Sequence, residues 1–118
     1  MNDYKQLEAW KQSRALVKSI YETTSSFPQN EIYGLVSQIR RASVSILSNI
    51  AEGIGRDTSK ETVHFLYMSR GSAYEVESQL FVCFDLNFTK ENALNELLEL
   101  INSIKRLVNG LIKRYKSL

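Results

Sequence analysis

The sequence predicts an all-α protein, an antiparallel up-down-up-down four-helix bundle that is homo-oligomeric. Three observations predict the bundle. Four segments carry apolar residues at helical spacing. The breaks between them are short, which forces consecutive helices to lie antiparallel. One proline and five glycines are too few turn residues for a many-turned β-sandwich or barrel.

The first helix is predicted to start near Asp3, where Asp3 and Gln6 stand at capping-box spacing. Leu7, Trp10, Val17, Tyr21 and Thr24 then share a face. It should stop before Ser25-Ser26-Phe27-Pro28, because the residue before a proline disfavours the α region.

The second helix is predicted from about Glu31 to Gly53. Ile32, Val36, Ile39, Ser43, Ile46 and Ile50 are spaced 4, 3, 4, 3 and 4, a coiled-coil-like seam with one small residue in it. Gly53 and Gly55 should end it, since glycine accepts the left-handed conformation at a helix C-terminus. The back of this helix holds Gly34, Ser37, Arg41, Ser45, Ser48 and Glu52. It is either a plain solvated face or a surface small enough for another helix to approach. Arg41 and Glu52 lie three turns apart and would need partners on another helix or another subunit. Glu52 is expected to be partly buried and paired with Arg40 or Arg41 from elsewhere.

The third helix opens at Thr58-Ser59-Lys60-Glu61, a capping box, and should reach about Leu86. Phe65, Ser69, Ser72, Val76, Leu80 and Cys83 fall within one arc and are predicted to face the core. Val63, Tyr67, Tyr74 and Phe81 fall opposite, spaced 4, 7 and 7. A bundle helix normally shows water a polar back. Tyrosine tolerates exposure, so the stripe has a bland explanation. The expected one is a subunit interface, where Tyr and Phe are typical anchors.

The fourth helix should open after Asn87-Phe88-Thr89, with Thr89 as N-cap and Glu91 in the first turn. Leu94, Leu97, Leu98, Ile101, Ile104, Val108, Leu111, Ile112 and Tyr115 form its apolar stripe.

The 118 residues suit one domain spanning 1–118. Hydrophobic residues at 43% and charged residues at 24% describe ordinary globular composition, so disordered and fibrous classes are excluded. One cysteine forbids an internal disulfide, and one cysteine with one histidine argues against structural zinc. No apolar run reaches the length of a membrane span, and the N-terminus lacks a signal-peptide core. A cytoplasmic location is expected, with no membrane partner.

Catalytic patterns are thin. Glu52-Gly53-Ile54-Gly55-Arg56 lacks the phosphate-loop pattern and follows no strand. His64 has no acid or nucleophile at a fixed distance. Cys83 reads as a buried inert thiol. Glu75 and Glu77 point to different sides of a helix. The chain carries no Glu-x-x-His motif of the di-metal bundles. No enzyme, no metal and no cofactor are expected.

The basic residues remain. Net charge is only +2, yet Lys105, Arg106, Lys113, Arg114 and Lys116 follow one another with no acid among them. Arg40, Arg41, Arg56 and Lys60 cluster around the second helix and its exit. These groups fit a solvated face that complements the helix dipole, and they also fit phosphate contacts. Arg106, Lys113 and Arg114 lie on the outer arc of the fourth helix. No aromatic-interleaved basic strand or base-reading motif is present, so binding should be sequence-tolerant.

Several of these features coincide in one family pattern. Phe27-Pro28, Glu31, Tyr33-Gly34-Leu35, Gln38-Ile39-Arg40-Arg41-Ala42, Ser45-Ile46, Asn49-Ile50-Ala51-Glu52-Gly53 and Arg56 occur in order, with Trp10 upstream. Phe65-Leu66, Arg70-Gly71-Ser72 and Glu75-Val76-Glu77 follow. Over about residues 7 to 112 the chain resembles the four-helix-bundle proteins encoded in bacterial 23S rRNA intervening sequences. The resemblance implies a homo-oligomer, typically a ring of five bundles, and makes Asn49 and Glu52 structural polar residues of the motif. It also implies kinship with accessory proteins of diversity-generating retroelements, which bind nucleic acid and a reverse transcriptase through a basic surface. One departure stands out. The family often has proline after Ser45-Ile46, and here it is Leu47, so the second helix should be straighter. The function expected is non-enzymatic binding of RNA or DNA. The alternative is a structural or adaptor oligomer that binds a protein partner; an enzyme with a site between subunits is a third, weaker reading.

Overall fold

A computed structural model describes residues 3–118. Four α-helices form it: α1 Glu8–Thr24, α2 Leu35–Ile54, α3 Ser59–Asp85 and α4 Glu91–Lys116, with 3-10 turns at Tyr4–Gln6 and Gln29–Glu31. The described residues contain no strand. Each helix packs against its neighbours in the chain, α1 closes on α4, and the diagonal pairs keep their Cα atoms more than 8 Å apart. The bundle measures 46 × 25 × 20 Å. No described helix is long and apolar enough to cross a membrane.

The start of the chain differs from expectation. Asp3 accepts a hydrogen bond from Lys5 N at 3.0 Å, but it caps only the 3-10 turn. Leu7 then adopts an extended conformation, so α1 restarts at Glu8. The core face of α1 is Ala9, Ser13, Leu16, Ile20 and Thr24, whereas Trp10 and Val17 are half-buried and Tyr21 is exposed. Hydroxyl residues can be buried here because each bonds back into its own helix. Ser13 Oγ donates to Ala9 O at 2.6 Å, and Thr24 Oγ1 to Ile20 O at 2.7 Å.

The second helix starts four residues later than expected. Pro28 leads into the 3-10 turn, and Glu31 uses a carboxylate oxygen to accept from Leu35 N at 3.2 Å. Ile32 is left outside the seam and exposed, while Val36, Ile39, Ser43, Ile46 and Ile50 are buried as expected. The helix runs unbroken through Leu47. Its glycines do not act as left-handed stops, because no described glycine has a positive φ. Gly53 serves close approach instead. A Cβ there would stand 2.9 Å from Phe65 Cβ and 3.1 Å from Thr62 O.

Thr58 caps α3 as expected, accepting from Glu61 N at 3.1 Å. The core face of α3 is rotated from the expected arc. It consists of Thr62, Val63, Leu66, Ser69, Ala73, Val76, Leu80 and Cys83, with Phe65 and Ser72 only half-buried. The helix ends in a Schellman motif. Asn87 is left-handed at φ 64°, Asn87 N donates to Phe84 O, and Phe88 N donates to Cys83 O, both at 2.9 Å. Phe88 then packs on Phe27, ring centroids 5.3 Å apart. Because Asn87 takes the turn, α4 starts at Glu91 with Lys90 at the cap and no side-chain cap bond, so Thr89 is not the N-cap. The buried stripe of α4 matches expectation: Leu94, Leu97, Ile101, Ile104, Val108 and Ile112.

Candidate nucleic-acid interface

The expected basic residues divide into two groups. Three of them are tied into the bundle. Arg40 Nε donates to Thr24 Oγ1 at 2.9 Å and its guanidinium lies 4.4 Å from the Tyr21 ring centroid, locking α2 to the end of α1. Arg41 forms an ion pair with Glu75 of α3. Arg56 pairs with Glu52 at 2.6 Å and lies over the Phe65 ring at 4.6 Å. Lys60, Arg106 and Lys113 are exposed and make no hydrogen bond or ion pair among the described residues, and Arg114 only borders the Tyr115 ring at 5.8 Å.

Within the chain, Glu52 does not pair with Arg40 or Arg41 as expected. Its side chain is 57% exposed and its partner is Arg56, four residues on in the turn that follows α2. Arg40 and Arg41 are already engaged with α1 and α3. Asn49 is half-buried. Its Nδ2 donates to Ser45 O at 2.9 Å and to Ser45 Oγ at 3.0 Å, and Ser72 Oγ of α3 donates to Ser45 Oγ at 2.8 Å.

The expected apolar strip is present in three of its four members. Tyr67, Tyr74 and Phe81 are 38%, 52% and 47% exposed. Val63 is the correction: at 9% it belongs to the core, and with Tyr115 and Leu118 it lines a recess at the end of α4.

Tertiary contacts bring distant basic residues to one end of the bundle. Ser59 and Lys60 line a recess with Tyr115 and Lys116, and Leu7 and Glu8 line another with Leu107 and Arg114. Thr62 Oγ1 donates to Gly53 O at 2.7 Å. The half of the bundle holding residues 3–14, 46–71 and 104–118 therefore carries eleven basic and five acidic side chains. The other half, residues 15–45 and 72–103, carries four basic and eight acidic. A net charge of +2 conceals this separation, which no local stretch of sequence displays apart from the end of α4.

Sequence reasoning missed Arg70 and the company kept by the tyrosines. Arg70 lies 4.8 Å from the Tyr67 ring centroid and donates to Asn109 Oδ1 at 3.1 Å. Lys116 Nζ donates to Tyr67 Oη at 3.0 Å. Lys105 Nζ sits 4.6 Å from the Tyr74 centroid and bonds Glu77 at 2.8 Å. The Lys116 hydrogen bond, with the charges of Lys116 and Arg70, holds the Tyr67 phenol below its ordinary pKa.

Other reactive groups stand apart. Arg56, Lys60, Glu61, His64 and Phe65 line an open recess in which His64 makes an edge contact with Phe65. Cys83 is fully buried, and desolvation pushes its thiol up to about 11. Among the described residues no three His, Cys, Asp or Glu side chains are placed to hold a metal ion.

Fold and surface together define an all-helical bundle protein with one basic half. The family of 23S rRNA-intervening sequence proteins matches residues 5–110, and the chain belongs to that family. A solved structure from Bacteroides thetaiotaomicron, a protein of unknown function from the S23 ribosomal protein family, has the same fold. It superposes with a TM-score of 0.80 at 18% identity, over 89% of this chain and 98% of the other. No curated protein matches this chain.

Proposed function

We propose that this protein is a non-enzymatic, homo-oligomeric bundle that binds RNA or DNA through its basic half. The observation that carries the reading is the charge separation, eleven basic residues against five acidic at one end. Lys60, Arg106 and Lys113 extend from that end without internal partners, so they can meet phosphates without unpacking a helix. Phosphate contacts of this kind give affinity without sequence choice.

The reading takes the topology as up-down-up-down. In its support, Gly53 meets Thr62, Ile46 meets Ser69 and Arg41 meets Glu75, so positions rise along α2 as they fall along α3. Glu77 meets Lys105 and Tyr67 meets Lys116 in the same sense across α3 and α4. Assembly into a homo-oligomer, a ring of five by family resemblance, would cover Phe81, the end of the exposed strip that lies towards Asp85. A ring also repeats a modest basic patch and raises affinity through multivalency. A cytoplasmic accessory to a nucleic-acid enzyme, such as a reverse transcriptase, fits this reading.

A second reading has its own observation. Phe81, Val82 and Leu86 are exposed on the half in which acidic side chains outnumber basic ones. This patch favours an adaptor that binds a protein partner. Binding of labelled RNA and DNA across a salt series separates the two. The nucleic-acid reading requires affinity that falls steeply with salt, and no binding at about 50 mM salt defeats it.

A further inference from the structure

We propose that the groove face between α3 and α4 is a binding platform for single-stranded nucleic acid, on which bases stack against Tyr67 and Tyr74. The inference rests on the nucleic-acid reading above and specifies its site and its class of ligand. Sequence periodicity divides this surface into two unrelated sets, an aromatic stripe on α3 and basic residues on α4. The fold makes them one surface. Lys116 reaches the hydroxyl of Tyr67, Arg70 lies against the ring of Tyr67, and Lys105 lies against the ring of Tyr74. Lys113 follows Asn109, the partner of Arg70, by one turn, and it is exposed.

The chemistry of the face suits single strands. Each tyrosine is half-exposed, and a cation lies close to each ring, holding the side chain in place. Seven residues separate Tyr67 from Tyr74, so the two rings stand roughly 10 Å apart along the helix. Arg70, Lys105, Lys113 and Lys116 outnumber the one acid among them, Glu77. A cationic track with interleaved aromatic rings binds unstacked bases by their faces and phosphates by charge, with little sequence preference. A duplex keeps its bases stacked internally and offers only phosphates to such a face. Phe81 lies beyond the basic stretch, towards Asp85, and is not part of the platform.

The test uses the full chain with a fluorescein-labelled oligouridine of about 15 nucleotides and a labelled duplex of equal length, read by anisotropy at about 50 mM salt. Light scattering on the same samples reports assembly size. The single strand should bind more tightly than the duplex. Tyr67→Ala and Tyr74→Ala should each weaken single-strand binding by at least about fivefold and leave duplex binding and assembly size unchanged. Tyr74→Trp should restore binding, because a larger ring stacks at least as well. Wild-type binding that ignores strandedness and both alanine variants overturns the platform but leaves the basic-half reading standing. Loss of binding that tracks dissociation of the assembly also overturns it, and assigns the face to contact between copies. No binding of either probe overturns the inference together with the reading beneath it.

Discussion

Thr62 and Gly53 join α2 to α3 where no side chain fits between them. The threonine hydroxyl donates to the Gly53 carbonyl at 2.7 Å, and a methyl group on Gly53 would collide with Phe65 Cβ at 2.9 Å and Thr62 O at 3.1 Å. Two of these contacts are with backbone or a Cβ, which cannot swing aside. Gly53→Ala should therefore lower stability by about 1–2 kcal/mol. Overpacking costs about 1–3 kcal/mol and exceeds the gain in helix propensity of about 1 kcal/mol. Thr62→Val keeps the shape and deletes the donor, so it should cost about 1 kcal/mol. Urea midpoints at constant m-value check both. A Gly53→Ala protein as stable as wild type would mean that the helices can part there freely.

The ion pair between α3 and α4 and the one at the end of α2 should respond very differently to substitution. Lys105 and Glu77 are only 16% and 24% exposed, while Arg56 and Glu52 are 38% and 57% exposed. Glu77→Gln should cost about 1–2 kcal/mol because Lys105 remains partly buried without its counter-charge. Glu52→Gln should stay within about 0.5 kcal/mol, the usual range for an exposed pair four residues apart. Thermal melts at low and high salt would show the contrast. Equal effects would mean that burial does not set the strength of these pairs.

Cys83 predicts an alkaline loss of stability. Burial raises its thiol pKa to about 11 from the model-compound value of 9.0. The folded state therefore resists losing the proton, and the contribution is complete below pH 9. It declines as pH rises from about 9 through 11, by at most about 1.4 kcal/mol per pH unit. Tyrosines and lysines titrate in the same window, so the informative quantity is the difference between wild type and Cys83→Ala. That difference should change in favour of the alanine variant above pH 9. The native thiol should also react slowly with an alkylating reagent at pH 8, and rapid modification of the folded protein would contradict its burial.

Phosphate contact by the outer arc of α4 predicts a salt signature. Arg106→Ala, Lys113→Ala and Arg114→Ala together should weaken binding to every RNA or DNA sequence alike. Each lost contact should flatten the dependence of log affinity on log salt by about one unit. Melting should be almost unchanged, since Arg106 and Lys113 have no internal partner and Arg114 only borders Tyr115. An unchanged slope in the triple variant would remove these residues from the interface.

Assembly through Phe81, at the far end of the α3 strip, predicts that Phe81→Lys shifts the protein towards smaller species in light scattering. Phe81 is 47% exposed, so the substitution leaves the core of a single bundle intact. Wild-type protein that stays monomeric at tens of micromolar, roughly, would contradict Phe81 as part of a subunit interface.

The sequence by itself determined four helices, the Thr58 cap of α3 and the buried stripe of α4. Each depends on residues within a few turns of one another. On α4 the apolar residues occupy one side only, so the period alone selects the face. On α3 they occupy two sides, and the expected arc held Ser69, Val76, Leu80 and Cys83 but took in Phe65 and Ser72 and passed over Leu66 and Ala73. Only the tertiary structure decided that choice, because it depends on where α2 and α4 press. On α1, small and hydroxyl residues line the core, and hydropathy gives them no weight although Ser13 and Thr24 satisfy themselves within the helix. The partners of Arg41 and Tyr67 were likewise tertiary matters, whereas Glu52 met Arg56 only four positions on. Tyr67 meets Lys116 across 49 positions of chain, and Arg41 meets Glu75 across 34. Helical periodicity relates residues three or four apart; it cannot register which helices stand side by side. That register turned a net charge of +2 into one basic half, and an aromatic stripe and a basic tail into a single face.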